Sequence, residues 1–173
     1  DSQPPDKLAM IFEDFRGNHR DVTWGELQSL SNRAANMLTA HGIGKGDRVA
    51  VCAPASPETA AVFFAAWKTG AILIALSVLY GDDGIEHRIR DSGAKLIVTD
   101  NENRDRMPAR LVEEVITLDQ GLLAGHDDTF ETLDCSADGP AQIYYTSGTT
   151  GVAKGILHAH RYILGHEEFT YCH

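Results

Sequence analysis

The sequence predicts an α/β fold with a mainly parallel sheet flanked by helices, and three observations lead there. Short apolar runs of strand character alternate with segments of helical period. Turn residues punctuate nearly every junction, and each link is long enough for a helix to cross from one strand to a parallel neighbour. The central runs are apolar throughout rather than alternating, as expected of strands covered on both faces.

The elements follow in order. "LAMIFED" (Leu8 to Asp14) and "RDVTW" (Arg20 to Trp24) read as two short strands joined by a turn at Gly17-Asn18. A helix follows from Thr23, whose hydroxyl caps the first turn while Glu26 completes a capping box. Its apolar positions Leu27, Leu30, Ala34, Met37 and Leu38 share one face, and Gly42 ends it. "DRVAVCAP" (Asp47 to Pro54) is a strand-like run after the turn residues "GIGKGD". Ser56-Pro57 then caps and opens a second helix that Gly70 closes.

"AILIALS" (Ala71 to Ser77) reads as a strand, "DDGIEHRIRDSG" as a short helix with a glycine stop, and "AKLIVTD" (Ala94 to Asp100) as a buried strand. A polar stretch, "ENRDRM" (Glu102 to Met107), reads as a solvated helix face. It is followed by "EEVITLD", a loop rich in Asp and Gly, and a strand beginning "AQIYYTSG". Asp47 to Pro54, Ala71 to Ser77 and Ala94 to Asp100 are expected to be neighbours in one sheet.

Composition restricts function. A chain of 173 residues, 43% hydrophobic and 23% charged, has the proportions of a globular domain. Its formal net charge of −10 disfavours gripping nucleic acid or an acidic membrane, so any phosphate it binds should be small and locally held. Cys52, Cys135 and Cys172 lack CxxC spacing, which argues against a disulfide framework or a zinc ribbon and for a reducing, cytoplasmic setting. No apolar stretch reaches the ~18 residues of a membrane span. The start at Asp1 without methionine and the end at His173 inside the helix-like pattern "HRYILGHEEFTYCH" predict a piece of a longer protein.

The chemistry concentrates in "YYTSGTTGVAKG", Tyr144 to Gly155. Gly148, Gly151 and Gly155 permit positive φ and close approach, so successive N–H groups can line a nest around an anionic oxygen. Thr146, Ser147, Thr149 and Thr150 add hydroxyls, and Lys154 adds a cation. At the carboxyl end of a sheet strand, such a loop suits the phosphates of a nucleotide. A plain glycine-rich turn is the simpler reading. A Walker loop fails on spacing, because GxxxxGK[ST] needs four residues between its glycines and a lysine directly after the second.

The same loop resembles the phosphate-binding signature of the adenylate-forming superfamily, [YF]TSG[ST]TGxPKG, shared by acyl-CoA synthetases, peptide-synthetase adenylation domains and luciferases. Ala153 departs from it, standing where proline is usual, which loosens the backbone without removing a donor. "DVTWGELQSLSNRAANMLTAHGIGKGDRVAV" and "KTGAILIALSVLYGDDGIEHRIRDSGAKLIVTD" are similar to flanking segments of the family, with Ala75 replacing another usual proline. The wording around "GILHAHRYILGH" is most similar to synthetases acting on short or medium carboxylic acids.

The resemblance implies that residues 1–173 are one partial domain, the N-terminal part of the AMP-binding domain of an acyl-CoA synthetase. It implies ATP, Mg2+ and coenzyme A, with Thr146, Ser147, Gly148, Thr149, Thr150, Gly151, Lys154 and Gly155 around the phosphates. No catalytic residue of the family falls within these residues, so this length alone is expected to be inactive. The alternatives are a non-catalytic nucleotide-binding or scaffold module of the same fold and, more distantly, a kinase-like phosphotransferase.

Other features have plain readings. His158 and His160, taken as helical, do not face one another, and with His166 and His173 they are read as ordinary histidines rather than metal ligands. Phe63, Phe64 and Trp67 are read as core packing, and Cys52 and Cys135 as inert thiols.

Overall fold

The structure, a computed structural model, describes residues 3–14, 16–146 and 152–166. β1 (Leu8–Glu13) and β2 (His19–Thr23) pair antiparallel as a separate ribbon, its turn using Gly17 at φ 81°. Thr23 then caps α1 (Trp24–Ala40). Its hydroxyl accepts from Glu26 N–H while the Glu26 carboxylate accepts from Thr23 N–H, the reciprocal box expected from the sequence.

The main sheet contains β3 (Arg48–Cys52), β4 (Ile72–Ala75), β5 (Leu96–Thr99), β6 (Glu114–Thr117), β7 (Pro140–Thr146) and β8 (Lys154–Ala159). Their spatial order is β6-β5-β3-β4-β7-β8. All pairings are parallel except β7 with β8. The three strands expected to be neighbours are neighbours, with β3 between β4 and β5. The crossovers include α2 (Pro57–Lys68), capped by the Ser56 hydroxyl, and α3 (Asp82–Ser92), which stops at Gly93 with φ 60°.

Alternation along each strand divides the core into two layers. Val49, Val51, Leu73, Leu96, Val98 and Ile116 face α1, α2 and the short α4 (Gln120–Ala124). Ala50, Cys52, Ile74 and Ile97 face Ile85 and Ile89 of α3, with Met107 closing the edge. A sheet covered on both sides needs strands apolar at every position, which is why the β3 run lacks alternation. Fully burying each large apolar side chain there contributes about 1.5–3 kcal/mol.

Several local expectations are corrected. "ENRDRM" is not a solvated helix face: Arg104–Arg106 is one 3-10 turn. The Arg106 guanidinium donates to the carbonyls of Val78 and Tyr80 and pairs with Asp82, fastening the link from β4 to α3. Arg106 thus works as a clamp because main-chain carbonyls in the connection between β4 and α3 need donors. Phe64 is 36% exposed and lies outside the core, whereas Phe63 and Trp67 pack against it. His158 sits on β8 rather than on a helix, and the segment His160–His166 is 3-10 where a longer helix was expected. The rest of that expected helix, with Cys172 and His173, lies outside the described residues. No helix among the described residues is long and apolar enough to cross a membrane.

Candidate functional site

The glycine-rich loop connects β7 to β8, and this turns an edge of the parallel sheet into an antiparallel hairpin. In its register Thr146 faces Lys154, Tyr145 faces Gly155 and Tyr144 faces Ile156. The loop is therefore anchored at both ends by a strand pair, at the carboxyl end of β7 next to β4. Ligands in open α/β sheets bind at this side of the strands. Of the residues singled out in the sequence, Thr146, Lys154 and Gly155 are placed, whereas Ser147, Gly148, Thr149, Thr150 and Gly151 lie outside the described residues.

Alternation gives the hairpin two unlike faces. Tyr145 and Ile143 pack toward α3. Thr146 and Lys154 belong to the opposite face, are both exposed, and pair directly across the strands at the root of the loop. That face also holds Tyr144 and His158, with ring centroids 5.4 Å apart.

Gly155 needs a different account from the one its sequence context invites. It is a strand residue, and positive φ among the described residues is confined to Gly17, Gly42, Gly46, Gly70 and Gly93. What requires glycine is space, because a Cβ there would meet Ile143 Cγ2 at 3.0 Å and the Tyr145 ring at 3.2 Å. The hairpin closes tightly over the tyrosine.

Two contacts that no local motif announces tie the loop root to α3. The Tyr145 hydroxyl donates to Asp91 Oδ2 at 2.8 Å and lies 3.2 Å from the Arg88 carbonyl. Burial first, then the Asp91 carboxylate, pushes the Tyr145 phenol well above its ordinary range, so it stays a donor. His87 Nε2 donates to the Ala153 carbonyl at 2.9 Å, across 66 positions of sequence. Ala153 is the site where the resembled signature has proline, so an imidazole from α3 restrains the loop that the missing ring leaves freer. Arg88 lies over the Tyr80 ring at 4.0 Å, extending the same clamp.

Among the described residues no group of three or more His, Cys, Asp or Glu side chains is arranged to hold a metal ion. Cys52 is buried at the end of β3, and that burial pushes its thiol up, away from the reactive thiolate.

The family profile described as AMP-binding enzyme matches residues 1–170. The chain belongs to this family. Among curated relatives of the chain is the 3-hydroxybenzoate--CoA/4-hydroxybenzoate--CoA ligase of Thauera aromatica. The two are 33% identical over 161 residues, covering 84% of this chain and 31% of the ligase. The acetyl-coenzyme A synthetase of Streptomyces avermitilis is 36% identical over 188 residues, covering 88% of this chain and 28% of the synthetase. Among solved structures, the acyl-CoA synthetase of Brucella canis superposes with a TM-score of 0.89 at 27% identity, covering 98% of this chain and 33% of that one. The chain therefore spans about a third or less of the length of these relatives.

Proposed function

We propose that the protein to which this chain belongs activates a carboxylic acid with ATP and passes the acyl group to coenzyme A. The observation that carries the reading is the β7–β8 pair, which sets Thr146 opposite Lys154 at the carboxyl end of the sheet, at the two ends of the hydroxyl- and glycine-rich stretch 147–151. Relatives named for CoA ligation or acyl-CoA synthesis match 84% and 98% of this chain, which supports the reading.

In the first step the carboxylate attacks the α-phosphorus, the bond to the bridging oxygen breaks, and pyrophosphate leaves with the charge. Thr146, Ser147, Gly148, Thr149, Thr150 and Gly151 form the cradle for the β- and γ-phosphates, Lys154 supplies its cation, and Gly155 closes the strand pair at its root. Donors fixed in advance stabilise that charge as it develops, without the reorganisation that water would need. The tie from His87 to Ala153 and that from Tyr145 to Asp91 hold the cradle's root in place. Mg2+ bound to ATP would neutralise the phosphates further; the described residues contribute no carboxylate cluster to it, and their part is the hydroxyl and ammonium donors. In the second step the coenzyme A thiol attacks the acyl carbonyl and AMP leaves.

The test is exchange of radioactive pyrophosphate into ATP by the protein in its full natural length, across a panel of carboxylic acids. The reading expects exchange that requires an acid, followed by AMP release on adding coenzyme A. ATP binding with no acid-dependent exchange would favour the scaffold reading. AMP release only with a carrier-protein thiol would change the acceptor. Residues 1–173 alone are expected to give no exchange, since adenylation needs groups beyond a phosphate cradle.

A further inference from the structure

On the α1 and α2 side of the sheet, a cavity of about 390 Å³ opens between the two helices and the segment preceding β1. Among the described residues that line it, none belongs to β7 or β8. Its walls are Trp24, Leu27, Phe64 and Pro5, and Lys68 and Ser31 also line it. Its volume falls within the roughly 300–1,000 Å³ typical of small-molecule sites.

The charge balance in this cavity is unusual. Lys68 is the last residue of α2 and only partly exposed. Its ammonium donates to Ser31 Oγ at 2.8 Å and Asn32 Oδ1 at 2.6 Å. Both acceptors are neutral, and they use two of the three N–H donors. Among the described residues no ion pair includes Lys68. Burial also lowers the lysine's proton affinity, because a partly buried ammonium loses hydration.

The walls fix the rest of the ligand. Trp24 and Phe64, 37% and 36% exposed, line the same cavity as the Lys68 cation. One ammonium does not offset a doubly charged phosphate brought against apolar walls, whereas a monoanion with an apolar body matches both features. Core packing accounts for Leu27, which is 5% exposed; Phe64 meets Trp67 edge to face, ring centroids 5.6 Å apart, and Phe64 and Trp24 both keep surface that lines the cavity.

We propose that this cavity is a binding site for a monocarboxylate bearing an apolar ring or chain, its carboxylate on Lys68 and its body between Trp24 and Phe64. The cavity lies between α1 and α2, apart from the β7–β8 strand pair, and its assignment stands without the adenylation reading.

The test reads Lys68 directly. The full-length protein, without ATP, is treated with an amine-acetylating reagent, and modification of Lys68 and of Lys95 is followed by peptide mass spectrometry. Lys95, paired with Asp47, serves as the internal reference. Octanoate should slow Lys68 acetylation saturably, roughly tenfold at ten times its dissociation constant, while Lys95 is unaffected. Octanol, with the same chain and no charge, should leave Lys68 unprotected. Phe64→Ser, at an exposed position, should shift the octanoate concentration needed several-fold upward with Lys95 reactivity unchanged. Absence of octanoate protection, equal protection by octanol, or protection unaltered in Phe64→Ser would overturn the proposal. So would a Lys68 that fails to react with or without octanoate, because the cavity would then be filled by another part of the protein.

Discussion

β3 and β8 belong to the same sheet and differ in nearly every physical respect. Four of the five β3 residues, Val49 to Cys52, are buried, with helices against both faces. β8 is the antiparallel edge, and Lys154 to Leu157 are exposed, including Ile156 at 45% and Leu157 at 59%. The first strand holds the fold, and the second holds a loop in position. One consequence is that substitutions in the two regions should separate stability from activity.

The largest effect on stability should come from the doubly covered strands. Ile97→Ala, at a fully buried β5 position, should cost about 2–5 kcal/mol in urea unfolding, because the surrounding layer cannot collapse into the void. A cost no greater than that of an exposed β8 substitution would break the contrast.

Tyr145→Phe tests the seam between the two regions. It removes the hydroxyl bonded to Asp91 without changing the ring against Gly155. A loss of about 1–2 kcal/mol is expected, together with weaker ATP binding as the loop root loosens. Stability loss with ATP affinity intact would show that the clamp serves the fold alone.

Thr23→Ala removes one half of the α1 capping box and should cost about 1 kcal/mol, measurable as a lowered melting temperature, with no effect on ATP binding.

A smaller effect should appear at alkaline pH. The Tyr145 phenol is raised in the folded state above its ordinary value of 10.0, so the folded protein keeps a proton that the unfolded chain releases. Its contribution is intact below that value and is lost as pH rises beyond it. Denaturant midpoints above pH 10.0 should fall less steeply in Tyr145→Phe than in the unaltered protein.

The same contrast explains what the sequence made legible. Buried parallel strands declare themselves, since two covered faces force continuous apolar runs, and the caps at Thr23 and Ser56 follow from backbone groups every helix end must satisfy. The loop was readable because hydroxyls, glycines and a lysine are crowded into one stretch. β8 was not, because "KGILHA" lies on an exposed edge and carries no signal separating strand from helix. Arg106 as a clamp, and His87 and Asp91 as supports of the loop root, were invisible because their partners come from other elements. Phe64 was misread because spacing shows that residues share a helix face, not that the face is covered.

The central claim is that the β7–β8 loop stabilises departing pyrophosphate, and Lys154→Ala in the full-length protein tests it most directly. Lys154 is exposed, so stability should change by no more than about 0.5 kcal/mol. The rate of acyl-adenylate formation should fall by about 2–4 kcal/mol of barrier, roughly 30- to 1,000-fold, and by more than ATP binding weakens. Thiol attack on a supplied acyl-adenylate, which releases no pyrophosphate, should be nearly unaffected. Equal losses in both half-reactions, or no loss in either, would contradict the account.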